Sequence, residues 1–238
     1  MGCGAVPVSR LAVVCFLWDD RRGRYRGVYQ YGVEHVRRLR DMLDRHLSQP
    51  HRLVCVTDQG PEDLPDGVSH VSLDMAPQGG RWPKLTAFRP DAAELFGADR
   101  LLVTDLDNVV VGPLDPLVER TEPLVLIAND RHGQRHQQRY NTPLMLLDAG
   151  AAPEVWETFD PERVPDLSHI AGTDQWWVSH SVNGVATWPW GSESGIYRDP
   201  QIKGRLPRDA RVVCFQGPRD PSMVSVQRTQ PWIKEHWR

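Results

Sequence analysis

Asp105 and Asp107 are the residues of this sequence whose type and spacing point most directly to chemistry. They stand at positions i and i+2, directly after an apolar run at residues 100–104 that has the pattern of a buried strand. Open α/β sheets bind ligands at the carboxyl ends of their strands, so both carboxylates can converge on one cation. Mg²⁺ and Mn²⁺ take carboxylate oxygens and complete their shells with substrate phosphates. The pair is therefore a candidate metal site for a nucleoside diphosphate, although such a triplet also ends many strands as a simple turn.

The elements that would position this pair follow a repeated pattern of strand and helix. The continuous apolar run 11–18 predicts a first strand, the three- and four-residue spacing over 33–47 an amphipathic helix, and the run 52–57 a second strand. A strand, a helix and a strand in this order are typical of a βαβ unit that opens a parallel sheet. We therefore expect an α/β fold with a mostly parallel central sheet, formed by one domain over residues 1–238.

The remaining predictions of secondary structure are coarser. Pro90 interrupts the helical spacing of residues 84–96, which predicts a kinked or two-part helix. The many Pro, Gly and Arg residues after Gly191 predict loops wrapped over the sheet. Further strands are expected at 68–73, 100–104, 124–128, 143–147, 185–188 and 212–215, and further helices at 151–159 and 174–180.

Composition excludes several classes of protein. With 28 Lys and Arg against 31 Asp and Glu, the net charge of −3 gives no global electrostatic case for binding nucleic acid or an anionic membrane. Cys15, Cys55 and Cys214 lie in apolar, strand-like runs, where we expect buried free thiols that suit a reducing compartment. No apolar run approaches the roughly 20 residues that cross a bilayer, and the N-terminus lacks the pattern of a signal peptide. The expected location is the cytoplasm.

Five segments carry recognisable motifs, namely RWPKLTAF (81–88), VTDLDNVVVGPLDPL (103–117), YNTPLMLLDAG (140–150), GTDQWW (172–177) and VVCFQGPRDP (212–221). In this order they resemble W-x-KL-x-x-F, LDLD-x-VVVG-x-LDPLF, YNSSVM-x-x-DAG, G-DQ-x-W and IVCFHG-x-PKP of the GT-A-fold glycosyltransferases related to glycogenin and to the bacterial lipopolysaccharide galactosyl- and glucosyltransferases. The resemblance implies a GT-A (Rossmann-like) fold and transfer of a sugar from a nucleoside diphosphate sugar, with UDP as the expected nucleotide.

The resemblance also implies roles for individual residues. Asp105 and Asp107 would hold a divalent cation, Mn²⁺ or Mg²⁺, and Lys84 would lie near the donor phosphates or sugar. A solvated lysine at a helix start is the alternative for Lys84, and Asp174 is also a routine helix N-cap. The residues expected at the sugar are Asn141 and Asp174, which would bind its hydroxyls, and Gln175, near the anomeric carbon. Retention of anomeric configuration is a further expectation, because in retaining members the leaving diphosphate is thought to help deprotonate the acceptor.

Two departures from the motifs affect the expected site. Gln216 stands where the family has the histidine that ligates the metal, and a neutral amide oxygen is the weaker ligand. Arg219 only approximates the lysine of PKP, yet its guanidinium could clamp a phosphate. Asp58, at the end of the second strand, is a further candidate for binding the donor.

Alternatives remain open at this point. Without its histidine, the site could belong to a non-catalytic protein that binds nucleotide sugars or glycans. A nucleotidyltransferase is a third possibility, but the basic loop 19–27 has only two glycines. The longer loop 19–31 carries four arginines and three tyrosines, which could grip an anionic ligand or simply be solvated. The acceptor could be a glycan, a protein, a small molecule or a modified nucleic acid.

Overall fold

The computed structural model describes residues 11–18, 31–73, 82–130, 138–160 and 174–238. The strands of this part of the chain are β1 (Leu11–Leu17), β2 (His51–Thr57), β3 (Val68–Ser72), β4 (Arg100–Thr104), β5 (Val109–Val110), β6 (Leu124–Ala128), β7 (Tyr140–Asp148), β8 (Ala186–Trp188), β9 (Ile196–Arg198) and β10 (Val212–Cys214). The α-helices are α1 (Val33–His46), α2 (Ala92–Phe96), α3 (Asp115–Val118), α4 (Glu154–Glu157), α5 (Asp174–Ser181), α6 (Val224–Thr229) and α7 (Ile233–His236).

The central sheet has seven strands in the order β3-β2-β1-β4-β7-β6-β8. The strands β3, β2, β1 and β4 run parallel, and β8 runs parallel to β6. Only β7 is antiparallel to both of its neighbours, β4 and β6. The predicted α/β fold with a mostly parallel sheet is confirmed. Because β7 reverses direction, its amino end lies at the same edge of the sheet as the carboxyl ends of β1, β2 and β4.

Both faces of the central sheet are covered, which explains why its strands read as continuous apolar runs. All seven residues of β1 are buried. Val13 and Cys15 face a core that includes Val36 and Leu39 of α1. The alternate residues of β1, among them Val14, face a second core built with a 3₁₀ helix at Trp82–Phe88, α2 and α5. The predicted helix over 33–47 is confirmed, and the segment 84–96 forms two helices, as its proline predicted.

A second sheet of three strands, in the order β5-β10-β9, packs beside the first. β10 pairs antiparallel with β5 and parallel with β9. The strand expected at 212–215 is confirmed as β10, but the prediction of loops elsewhere after Gly191 is wrong in part, because this region also contains β9, α6 and α7. A strand of three residues such as Ile196–Arg198 is too short to be recognised by periodicity. Such strands form because their apolar side chains are buried against the rest of the core.

Two further predictions, of a helix over 151–159 and of buried free thiols, can be compared with the structure. The helix expected over 151–159 is confined to Glu154–Glu157. The three expected thiols, Cys15, Cys55 and Cys214, are buried and free, as predicted. Within the described ranges, no helix combines the length and apolar character needed to cross a membrane.

Candidate active site

Asp105 and Asp107 lie in the turn that directly follows β4, and this turn is fastened to the amino end of β7. The backbone N–H of Asp105 donates to the carbonyl of Pro143 at 3.0 Å. Asn108 is fully buried, and its Nδ2 donates to that same carbonyl at 2.6 Å and to Thr104 Oγ1 at 3.0 Å. The turn thus has a fixed position at the carboxyl edge of the sheet, where the sequence places the carboxylate pair.

Lys84 extends from the 3₁₀ helix into the same edge of the sheet and is only 6% exposed. Its Nζ lies 2.6 Å from Asp105 Oδ1 and 3.1 Å from Asp174 Oδ2, and it donates to the carbonyl of Thr142 at 3.1 Å. A solvated lysine is therefore excluded. Burial by itself would lower the pKa of Lys84, but the carboxylates of Asp105 and Asp174 hold this pKa above its ordinary value. The ammonium joins the expected metal site to the expected sugar site.

Asp174 is the first residue of α5 and is 1% exposed. Its Oδ2 accepts from Lys84 Nζ and, through a very short bond, from the hydroxyl of Thr142. Its Oδ1 is buried and has no hydrogen-bond partner in the part of the chain that the structure describes. A buried carboxylate oxygen without a donor is costly, so this atom has an unused capacity to accept a hydrogen bond.

Tyr31 supplies a contact to the carboxylate pair that sequence reasoning did not assign. Its hydroxyl donates to Asp107 Oδ2 at 2.9 Å. Burial and the negative charges of Asp107 and Asp105 raise the pKa of the Tyr31 phenol. The arginine- and tyrosine-rich loop 19–31 was expected, as a whole, either to grip an anionic ligand or to be solvated, and Tyr31 is its last residue. Residues 19–30 of that loop lie outside the described ranges. The signal in the sequence was the loop, not the contact.

The electrostatics of the site show a surplus of negative charge. Burial and the neighbouring charge of Asp105 raise the pKa of Asp107 well above its usual range, and Asp220 acts in the same direction. The hydrogen bond from Tyr31 and the charge of Lys84 oppose this rise without cancelling it. A carboxylate with a raised pKa is one whose negative charge lacks compensation, and a divalent cation would provide that compensation.

Asp220 is a second residue that sequence reasoning missed. It is buried, accepts from the backbone N–H of Ser222 at 2.7 Å, and its Oδ2 lies 3.5 Å from His35 Nε2. Burial would raise its pKa, but the bonds from His35 and Ser222 lower it overall. Counted from Gly217, Asp220 stands where the closing motif has its lysine. A carboxylate therefore stands in the place of a cation near Asp107.

The other predicted residues occupy the surroundings of this cluster. Asn141, at the amino end of β7, donates from Nδ2 to the carbonyl of Ala128 at 3.3 Å. Gln175 is half-buried, and its Oε1 lies 3.4 Å from Gln138 Nε2. Asp58 is exposed just after β2, at the carboxyl edge of the sheet.

The backbone of Gln216 and the side chain of Arg219 meet at Asp199. Asp199 accepts from the backbone N–H of Gln216 and, through a very short contact, from Arg219 Nε. Cys214, two residues before Gln216, is buried, and burial together with the charges of Asp105 and Asp107 raises its pKa. The end of β10 thus approaches the carboxylates, while Arg219 is paired with Asp199 in this structure.

The residues present fit a divalent cation of the Mg²⁺ or Mn²⁺ type. In the described ranges no three His, Cys, Asp or Glu side chains gather closely enough to hold a metal by themselves. Mg²⁺ does not require such a cage, because it commonly uses one or two carboxylates and substrate phosphates. The two carboxylates Asp105 and Asp107 supply that donor set.

Comparisons with known proteins give a likeness of structure without a likeness of sequence. No protein-family model and no curated protein sequence matches the chain. The galactosyltransferase LgtC, solved with donor and acceptor sugar analogs, aligns with 94% of this chain and 96% of its own, at a TM-score of 0.55 and 11% identity. The glycosyltransferase GlyE of Streptococcus pneumoniae TIGR4 aligns with 90% of this chain and 56% of its own, at a TM-score of 0.61 and 12% identity.

These alignments cover nearly all of the chain at identities that carry information about the fold alone. The central sheet of the chain, mostly parallel and covered on both faces, agrees with the fold expected from its motifs. The chain therefore has the GT-A fold that these glycosyltransferases share.

Proposed function

We propose that the chain is a glycosyltransferase that moves a sugar from a nucleoside diphosphate sugar, with UDP as the expected nucleotide, to an acceptor hydroxyl. The observation that carries this proposal is the contact of Lys84 with Asp105 and Asp174, beside Asp107, at the carboxyl edge of a GT-A sheet. Such a group combines a cation site with a buried acceptor for sugar hydroxyls. Open α/β sheets bind ligands at this edge, and the motifs that resemble glycosyltransferases converge there.

The diphosphate end of the donor is assigned to Asp105 and Asp107. Together with the side chain of Gln216 they would hold Mn²⁺ or Mg²⁺, which, when bound, supplies positive charge to the departing diphosphate. Asp107 is held in place by Tyr31, and Asp105 by Lys84. Arg219 would reach the phosphates from its place beside Asp199, and Asp58 would contact the nucleotide from the end of β2.

The sugar end of the donor is assigned to Asp174, Gln175 and Asn141. Oδ1 of Asp174 lacks a donor in the described structure, and a sugar hydroxyl would satisfy it. Gln175 follows directly in α5 and is assigned to the reaction centre. Catalysis would come chiefly from positioning and from charge stabilisation, because nothing in the proposal requires a covalent intermediate.

From the resemblance of the motifs we infer that the reaction retains the anomeric configuration. The bond between the anomeric carbon and the diphosphate oxygen breaks, and the acceptor oxygen forms its bond to the same face of that carbon. The proton of the acceptor hydroxyl passes to the departing diphosphate oxygen, so no separate base is needed. An NMR measurement of the anomeric configuration in the product tests this assignment, and an inverted product contradicts it.

The test of the function is a screen of nucleoside diphosphate sugars, read as nucleotide release with and without Mn²⁺, beside calorimetry with UDP and Mn²⁺. We expect tight binding of one nucleotide and release that depends on the cation and rises with a suitable acceptor. Binding without release under every acceptor class would identify a non-catalytic nucleotide-sugar-binding protein instead. Release of pyrophosphate from a nucleoside triphosphate would identify a nucleotidyltransferase.

A further inference from the structure

We propose that Lys84 is the counter-ion of the metal site in the absence of ligand. Its ammonium group stays bonded to Asp105 until a nucleoside diphosphate provides other oxygens for it. Cation binding would then depend on the nucleotide. This inference rests on the proposed function and deepens it, because it assigns a positioning role to a residue that was expected only to contact the donor. It follows from the contacts of one buried side chain.

The ammonium group of Lys84 is fully hydrogen-bonded in this structure. An ammonium has three N–H donors, and Lys84 Nζ has three acceptors, namely Asp105 Oδ1 at 2.6 Å, Asp174 Oδ2 at 3.1 Å and the carbonyl of Thr142 at 3.1 Å. The capacity of the group is therefore filled before any ligand arrives. In this arrangement Lys84 cannot also donate to a phosphate.

The ammonium of Lys84 lies close to where a cation bound to Asp105 would lie. A Mg²⁺ ion bound to Asp105 would lie about 2.1 Å from a carboxylate oxygen. A positive charge that is already 2.6 Å from Asp105 Oδ1 would repel such an ion and compete with it for the oxygen. The cation and the unshifted Lys84 therefore compete for Asp105, and binding of the free cation is weakened.

Release of Lys84 from Asp105 requires another acceptor for its N–H group. Because the side chain is only 6% exposed, an N–H that leaves Asp105 finds little water to replace the lost acceptor. A diphosphate that arrives with the cation brings oxygens that can accept this N–H, while the bonds to Asp174 and Thr142 persist. The nucleotide thus favours the cation and the cation favours the nucleotide by the same factor. Lys84 would carry this coupling.

The test is a titration of the protein with Mn²⁺, read by electron paramagnetic resonance of the free ion, without nucleotide and with saturating UDP. In the absence of nucleotide, Lys84→Met is expected to bind Mn²⁺ about tenfold more tightly than the unaltered protein, since a single neighbouring charge has effects of this size. The enhancement by UDP is expected to shrink in this variant. Lys203→Met, which alters an exposed lysine elsewhere, should behave like the unaltered protein.

A second pair of variants keeps the test valid if Lys84→Met folds poorly, because that change leaves the carboxylates of Asp105 and Asp174 facing each other. Lys84→Met combined with Asp174→Asn removes this repulsion, and it should bind free Mn²⁺ more tightly than Asp174→Asn alone. Circular dichroism establishes that each protein is folded. Equal or weaker Mn²⁺ binding after loss of Lys84, in both backgrounds, would overturn the inference and leave the proposed function intact. Absence of Mn²⁺ binding to the unaltered protein, even with UDP, would overturn the metal site of the proposed function as well.

Discussion

At the scale of single residues, the site has more carboxylates than positively charged groups. Lys84 is bonded to Asp105 and Asp174, whereas Asp107 accepts a hydrogen bond from a phenol hydroxyl and has the carboxylate of Asp220 within electrostatic range. Groups with strongly perturbed pKa values that converge in one place are typical of functional sites. The unfavourable charge of Asp107 is best understood as a cost that a bound cation would offset.

Asp107→Asn should therefore stabilise the protein without ligands while it impairs cation binding. The pKa of Asp107 is raised in the folded protein, so protonation of Asp107 stabilises the fold. This contribution is fully present at a pH below the ordinary carboxyl range, and it is lost as the pH rises through the raised pKa. Asparagine has no such proton to lose and can still accept from Tyr31. In urea unfolding at about pH 8 we expect a gain of about 1–3 kcal/mol, which shrinks towards about pH 4. Asp66→Asn, at an exposed position, should change little at either pH, and a loss of stability in Asp107→Asn at about pH 8 would contradict this account.

The sequence predicted which residues gather in the candidate site better than it predicted their contacts. Asp105, Asp107, Lys84 and Asp174 were found because each stands in a short motif. The bond from Tyr31 to Asp107 joins residues 76 positions apart, and no local pattern encodes such a pair. Asp220 was not predicted because its neighbour in the chain, Arg219, is the cation that approximates the lysine of the closing motif.

At the scale of elements, the reversal of one strand builds the site. Because β7 is antiparallel to β4, its amino end brings the carbonyls of Thr142 and Pro143 against the turn after β4. The periodicity predicted a strand in this region but not its direction, which is a property of pairing between distant segments. The sequence also failed to predict that β5, β9 and β10 form a second sheet, because pairs and triplets of apolar residues give no clear period.

Asn108→Ala tests the connection between β4 and β7. Asn108 is fully buried and donates to Thr104 and to Pro143, so its loss leaves a buried carbonyl with one donor fewer. We expect a loss of about 1–3 kcal/mol in chemical unfolding, together with weaker binding of Mn²⁺ and UDP. Ser192→Ala, at an exposed position, serves as the control. Unchanged stability in Asn108→Ala would show that the turn is held by other contacts.

Gly195→Ala tests the second sheet. Gly195 has a φ of +76°, and an added Cβ would lie 2.6 Å from the carbonyl oxygen of Asp209. Gly184 has a similar φ of +65° but open space around the position of a Cβ. Alanine at Gly184 should cost about 1 kcal/mol through backbone strain alone, and alanine at Gly195 clearly more. Equal melting temperatures for the two variants would contradict the close packing at Asp209.

At the scale of the whole molecule, a mostly parallel sheet separates two cores, one beneath α1 and the second sheet and one beneath α2 and α5. This architecture could be predicted from the sequence because strands buried on both faces and an amphipathic helix leave strong patterns. The location in the cytoplasm stays a prediction.

Ligand binding should be visible in the stability of the whole molecule. Ligands that bind only the folded state raise the free energy of unfolding, by about 2.7 kcal/mol at a concentration of 100 times Kd. We expect Mn²⁺ alone to raise Tm slightly and Mn²⁺ with UDP to raise it by several degrees, because Lys84 opposes the free cation. The double variant Asp105→Asn, Asp107→Asn should show neither shift. A full shift with Mn²⁺ alone would contradict the proposed dependence on nucleotide.

The most direct test of the central claim, that the carboxylate pair serves transfer from a nucleotide sugar, is the rate of nucleotide release from the preferred donor in Asp107→Ala. The comparison uses the unaltered protein and Asp66→Ala, at saturating Mn²⁺. The account predicts a loss of at least about a hundredfold in Asp107→Ala and an unchanged rate in Asp66→Ala, since charge stabilisation at a leaving group is worth several kcal/mol. Release that is indifferent both to Asp107→Ala and to removal of the cation would contradict it.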